Sequence, residues 1–246
     1  MKNKNNFRLG VVILTGVFLS ACSSSPTPNY YTLQAKATPI THSGVRVIEV
    51  MPVGLPDRLD RASIVVQDHQ GRSKVLDNDR WTSTLSTQLR DGLSAGLQQK
   101  LGAVDRYNSG MSAGQVSYRI ATDFSNFDVI EDSANHPLTS THDHYMNVMV
   151  TWIIKADIPL AMESSATNQA TTTLQNRSIS CRTHFTVPVQ GERRNINNIV
   201  AASTQSLNRI IENIADSVVM MNAKKVVSID GCLLYTSDAA DEEDSG

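Results

Sequence analysis

Trp81, Leu85, Leu89, Leu93, Leu97 and Leu101 stand four residues apart, and Gly102 follows the last of them. That spacing puts one apolar residue per turn on a single, slowly drifting face of an α-helix. The glycine marks its end, and Asp77-Asn78-Asp79 supplies N-cap candidates for its start. A helix with one apolar stripe needs a second layer to cover it. Gly92 and Gly96 each weaken such a helix by roughly 1 kcal/mol relative to Ala, a cost that fits close packing on a sheet.

The second layer is written in strand-period segments. Tyr30 to Leu33, Val45 to Val50 and Ser63 to Gln67 have strand composition, and Gln70-Gly71-Arg72 turns the third into a hairpin with Lys74 to Leu76. Pro52 and Pro56 keep the stretch between the second and third strands out of regular pairing. Val116, Tyr118, Ile120, Thr122 and Phe124 alternate with polar residues. So do Met146, Val148, Val150, Trp152 and Ile154 in a strand from Tyr145 to Ile158, and Ile179, Cys181, Thr183, Phe185 and Val187 in the next. Glu163 to Gln175 has the composition of a long loop. Ile196, Ile199, Val200, Ser203, Leu207, Ile210, Ile211, Ile214 and Val218 recur at three and four, a second long helix. The expected fold is α/β: two long helices packed on a largely antiparallel mixed sheet, in a single domain over residues 30–230.

Both ends of the chain lie outside that domain. Lys2, Lys4 and Arg8 precede the apolar run Leu9 to Phe18, the build of a secretory signal, and Leu19-Ser20-Ala21-Cys22 resembles the lipobox of bacterial lipoproteins. In that class the cysteine is acylated and becomes the first residue of the mature protein. Residues 1–21 are thus expected to be a lipoprotein signal peptide, Cys22 the lipid attachment site, and residues 22–29 a flexible, proline-bearing tether. Ser23 in such proteins usually permits transfer to the outer membrane. Residues 232–246 resemble the translation of a sequencing adapter and are set aside from the fold. With Cys22 acylated and Cys232 set aside, Cys181 has no partner, so no intramolecular disulfide is expected and Cys181 is a small buried hydrophobe.

Charge narrows the function. The formal charge of -2 becomes +3 without the five acids after Gly231, and zero once Lys2, Lys4 and Arg8 leave with the signal. No basic excess marks a nucleic-acid binder. Gly92-Leu93-Ser94-Ala95-Gly96 has the G-x-S-x-G spacing but lies within the helical pattern and makes no strand-to-helix elbow, and the P-loop, H-E-x-x-H and C-x-x-C do not occur. Only His142-Asp143-His144, with His136 nearby, has metal-like spacing, and these residues fit a solvated loop better than a metal or pH-sensing site. No catalytic residue, metal site or cofactor is assigned.

Several segments together are similar to the auxiliary lipoprotein family of ABC-type, membrane-integrity transporters. They are Tyr30-Tyr31-x-Leu33, Val50-x-Pro52, Leu55-Pro56-x-x-Leu59-Asp60-Arg61-x-x-Ile64-Val65, and Arg80-Trp81-x-x-x-Leu85-x-x-Gln88-Leu89-Arg90. Arg58 departs from the pattern, where an aromatic is common, as does the long polar loop from Ala161 to Gln175. The resemblance implies a non-catalytic docking component of an MCE-type envelope lipid-transport system. It would be lipid-anchored on the periplasmic face of the outer membrane, with an MCE-domain protein and an inner-membrane transporter component as partners, and homo-oligomers are open to it. A structural or assembly lipoprotein and an enzyme on a lipid tether remain the alternatives. Leu55, Pro56, Arg58, Leu59, Asp60 and Arg61 are the expected partner-binding residues, because loops between rigid strands collect binding groups. Against this stands a scaffold role, with Leu55 and Leu59 covering the core and Asp60-Arg61 forming an ion pair.

Overall fold

The computed structural model describes residues 27–68, 70–107, 114–131, 144–158, 177–190, 195–223 and 232–236. The chain runs β1 (Asn29–Tyr31), β2 (Val47–Val50), β3 (Ser63–Gln67), β4 (Ser73–Trp81), α1 (Leu85–Leu101), β5 (Val104–Asp105) and β6 (Ser117–Glu131). It continues through β7 (His144–Asp157), β8 (Arg177–Pro188), α2 (Ile196–Asn222) and β9 (Cys232–Thr236). One mixed sheet has the order β1-β4-β3-β6-β7-β8-β9, with β2 also on β6 and β5 outside β2.

The predicted helices form and pack on each other, α1 over β2 and β5, α2 over β7 and β8. Leu89, Leu93 and Leu97 of α1 are fully buried, as are Leu207, Ile210, Ile211 and Ile214 of α2. Truncating any of these to Ala costs about 2–5 kcal/mol. The inward row of β7 is the expected one, Met146, Val148, Val150, Trp152 and Ile154, all buried. Ser203 and Ser217 sit among them on α2 without a polar penalty, because each hydroxyl donates to the carbonyl four residues back.

Four expectations are corrected. The sheet is mixed rather than largely antiparallel: β1–β4, β2–β5, β2–β6 and β3–β6 all pair in parallel. Strands that are neighbours in sequence invite a hairpin reading, but β2 and β3 both lie along one side of β6, which is reached only after α1. Asp77-Asn78-Asp79 does not start the helix; β4 runs on to Trp81, Thr84 is the N-cap, and Asp79 is held by β1. Trp81 is buried as its spacing suggests, but from a strand end. His144 is the first residue of β7, not part of a loop.

The fourth correction concerns Cys181, which is buried as expected but is not alone. β9 lies antiparallel on β8 with Cys232 opposite Cys181, and the two form a disulfide. Cys181 lacked a partner in the sequence only because Cys232 had been set aside with residues 232–246.

Candidate functional site

The segment from Leu55 to Arg61 owes its position to β6. Val47 to Val50 pair in parallel with Ser117 to Ile120, Gly54 bridges Asp123, and Val66-Gln67 pair with Val129-Ile130. The chain from β2 to β3 thus follows one strand, twice in register, and the residues between Gly54 and β3 are looped out. Gly54 lies close against β6 at the near end. Its N–H donates to the Thr122 carbonyl at 2.9 Å, its carbonyl accepts from Phe124, and a Cβ there would lie 2.7 Å from Asp123 Oδ1.

Within the excursion, Pro56 opens a turn closed by Leu59 N–H donating to its carbonyl at 2.8 Å. The turn divides the expected site residues. Leu59 is buried at 4% exposure, and Leu55 is half-buried against the core. Arg58 donates to Asp128 Oδ2 at 3.2 Å, with its own side chain 42% exposed and that of Asp128 only 4%. Asp60 Oδ1 accepts the Ser86 backbone N–H at 3.1 Å. Thr84, the N-cap of α1, makes no side-chain cap bond, so Asp60 supplies one from outside the helix. No Asp60–Arg61 ion pair forms among the described residues; Asp57 and Arg61 are exposed.

The other family-like motif residues hold the body together. Gln88 Oε1 accepts the Leu33 N–H at 3.0 Å, and its amide donates to Thr82 and Ser83 at 2.8 Å each. Arg90 donates to Asp105 Oδ2 at 2.9 Å, where Ser94 also donates at 2.6 Å, fixing α1 to β5.

A second feature was not legible in the sequence. A cleft of about 220 Å³ opens between the sheet and the first turns of α2, lined by Val66, Lys74, Leu76, Asp79, Glu131, His144, Ile196 and Ile199. Val66 and Ile199 form a buried floor, while Leu76 and Ile196 are half-buried walls. Lys74 lies opposite Val66 in the β3–β4 ladder, and Glu131 opposite His144 in the β6–β7 ladder. Asp79 Oδ1 accepts from Asn29 Nδ2 and from the Tyr31 hydroxyl, both at 3.2 Å. Burial pushes the Tyr31 hydroxyl above its ordinary pKa, and the Asp79 charge adds to this. The chain therefore enters the domain at the cleft's edge. Five separate elements contribute lining residues, so no local motif announces it.

Cys22, His136 and His142 lie outside the described residues. Among the described residues, no group of three or more His, Cys, Asp or Glu is placed to hold a metal ion, and no helix is long and apolar enough to cross a membrane.

The family described as the ABC-type transport auxiliary lipoprotein component matches residues 31–215. The intermembrane transport lipoproteins PqiC of Escherichia coli and Shigella flexneri are each 32% identical over 95 residues, 37% of this chain. The chain spans about half the length of these curated relatives, 51% of each. Two solved structures share the fold. A Xanthomonas campestris protein aligns with a TM-score of 0.53 at 14% identity, covering 80% of this chain and 98% of its own. An uncharacterised protein aligns with a TM-score of 0.54 at 19% identity, covering 78% and 99%.

Proposed function

The chain belongs to the ABC-type transport auxiliary lipoprotein family, and from that footing we propose that it is a non-catalytic docking component of an envelope lipid-transport system. Cys22 carries the lipid anchor, the domain sits at the periplasmic face of the outer membrane, and an MCE-domain protein docks on it with an inner-membrane component behind. What carries this reading is the span of the family match, which runs from β1 through most of α2 and so takes in nearly the whole described domain. The name "intermembrane transport lipoprotein" borne by the curated relatives supports the same role. The exposed members of the Leu55–Arg61 segment, with Asp57, form the docking edge, and the buried ones hold it rigid.

Two measurements on the full-length protein test this. Cys22→Ala should remove acylation and release the protein from membrane fractions; unchanged retention rules out the anchor. A photoreactive residue at position 61 should crosslink an MCE-domain protein in cells. Recovery of no transport partner from position 61 would favour the structural or assembly alternative.

A further inference from the structure

We infer that the cleft between β3, β4, the β6–β7 end and α2 receives the end of one acyl chain of a zwitterionic phospholipid. Half of its lining is aliphatic, Val66 and Ile199 buried below and Leu76 and Ile196 half-buried at the sides, and the other half is Lys74, Asp79, Glu131 and His144. The aliphatic half suits a flexible methylene chain. A cavity of about 150 Å³ takes one benzene, so a cleft of about 220 Å³ takes several carbons of one chain. It is too small to enclose a whole lipid, so the headgroup must stay at the rim.

The rim fits such a headgroup. Lys74 brings one positive charge, Glu131 and Asp79 bring one negative charge each, and His144 stands beside Glu131. Among the described residues none of the Lys74, Glu131 and His144 side chains is drawn into an ion pair or hydrogen bond, whereas Asp79 is already engaged by Asn29 and Tyr31. Unpaired charges of both signs at the mouth of a partly apolar cleft complement a phosphate and an ammonium carried on the same headgroup. Position agrees with this. Asn29, which bonds to a rim residue, lies seven residues after Cys22. A fully extended link of that length spans at most about 25 Å, so the proposed anchor keeps the cleft close to the bilayer. Only this last point rests on the proposed function.

The test uses the purified full-length protein in phosphatidylethanolamine vesicles containing a minor fraction of the same lipid with a photoreactive acyl chain. No transport partner is present, so failure of the docking role leaves the result standing. Irradiation should yield an adduct mapped to Ile196, Ile199 or Leu76. Leu76→Trp, which fills the cleft, should lower the yield about tenfold, the effect of losing two buried methylenes. The exposed Lys74→Glu should lower it for this lipid but not for a photoreactive diacylglycerol, and it decides the matter if Leu76→Trp does not fold. An adduct mapped elsewhere, or a yield that neither variant changes, overturns the inference. So does a crosslinker placed at position 196 that captures the protein's own Cys22 lipid or a polypeptide.

Discussion

The Asp60 carboxylate accepts the Ser86 backbone N–H at 3.1 Å, so the excursion between β2 and β3 caps the first turn of α1. Asp60→Ala should destabilise the protein by about 1 kcal/mol, the usual value of a lost cap. Asp60→Asn should keep most of that and lose only the charge–dipole part, about 0.3 kcal/mol at this exposed position. Urea denaturation reads both. Equal midpoints for Asp60→Ala and the unaltered protein would show that the bond contributes nothing.

Arg58 and Arg61 look alike in the sequence and differ in the fold. Arg58→Glu would put a second carboxylate beside Asp128, whose side chain is 4% exposed. Breaking up a pair with one buried member should cost about 1–3 kcal/mol, less than a fully buried pair because Arg58 is half open to water. Arg61→Glu should stay within about 0.5 kcal/mol. Only Arg61→Glu is therefore a clean probe of docking. The expected outcome is a normal melting curve and lost co-purification with the MCE-domain partner, and normal co-purification would assign the segment to the scaffold.

A Cβ at Gly96 would overlap Ile211 Cδ1 and lie 3.1 Å from Ala35 Cβ. Gly96→Ala gains up to about 1 kcal/mol in helix propensity against about 1–3 kcal/mol for overpacking. A net loss near 1 kcal/mol is expected. Ile211→Val removes the colliding methyl, so the double variant should be more stable than the sum of the single losses. Simple additivity in a thermal-melt cycle would place the close approach elsewhere.

Residues 232–246 can be removed to ask whether β9 belongs to the domain. Cys181 is buried and lies beside Ser217 of α2, so its site is closed on the helix side without the disulfide. The truncated chain should keep its circular dichroism spectrum and its membrane placement, and re-sequencing the locus should not return these codons. A chain that unfolds on truncation would make β9 an integral strand.

Periodicity carried the parts of this fold in which one face is buried over many residues. The rows Met146 to Ile154 and Ile199 to Val218 could be placed because each repeats a single environment. Sheet order was not readable, since nothing local to Val47 or Val66 says that both will lie beside β6. Asp77-Asn78-Asp79 failed as a cap because short polar residues serve equally at a strand end, where Asp79 meets Asn29 and Tyr31. At the candidate site, Leu59 and Asp60 were legible as a proline-bearing loop, but their inward roles depend on Ser86 and the core. The cleft needs residues as far apart as Val66 and Ile199 to exist at all.

Because β2 and β3 flank the looped-out residues and hold their positions along β6 independently, the number of residues between Gly54 and Ser63 is not fixed by the sheet. Descendants of this fold can lengthen or shorten that stretch without shifting a single strand, since exposed loop tips tolerate insertion. The buried Leu59, the Arg58–Asp128 pair and the Asp60 cap limit where the change can fall. The proposed docking edge can thus diversify from one lineage to the next while the framework that carries it stays still.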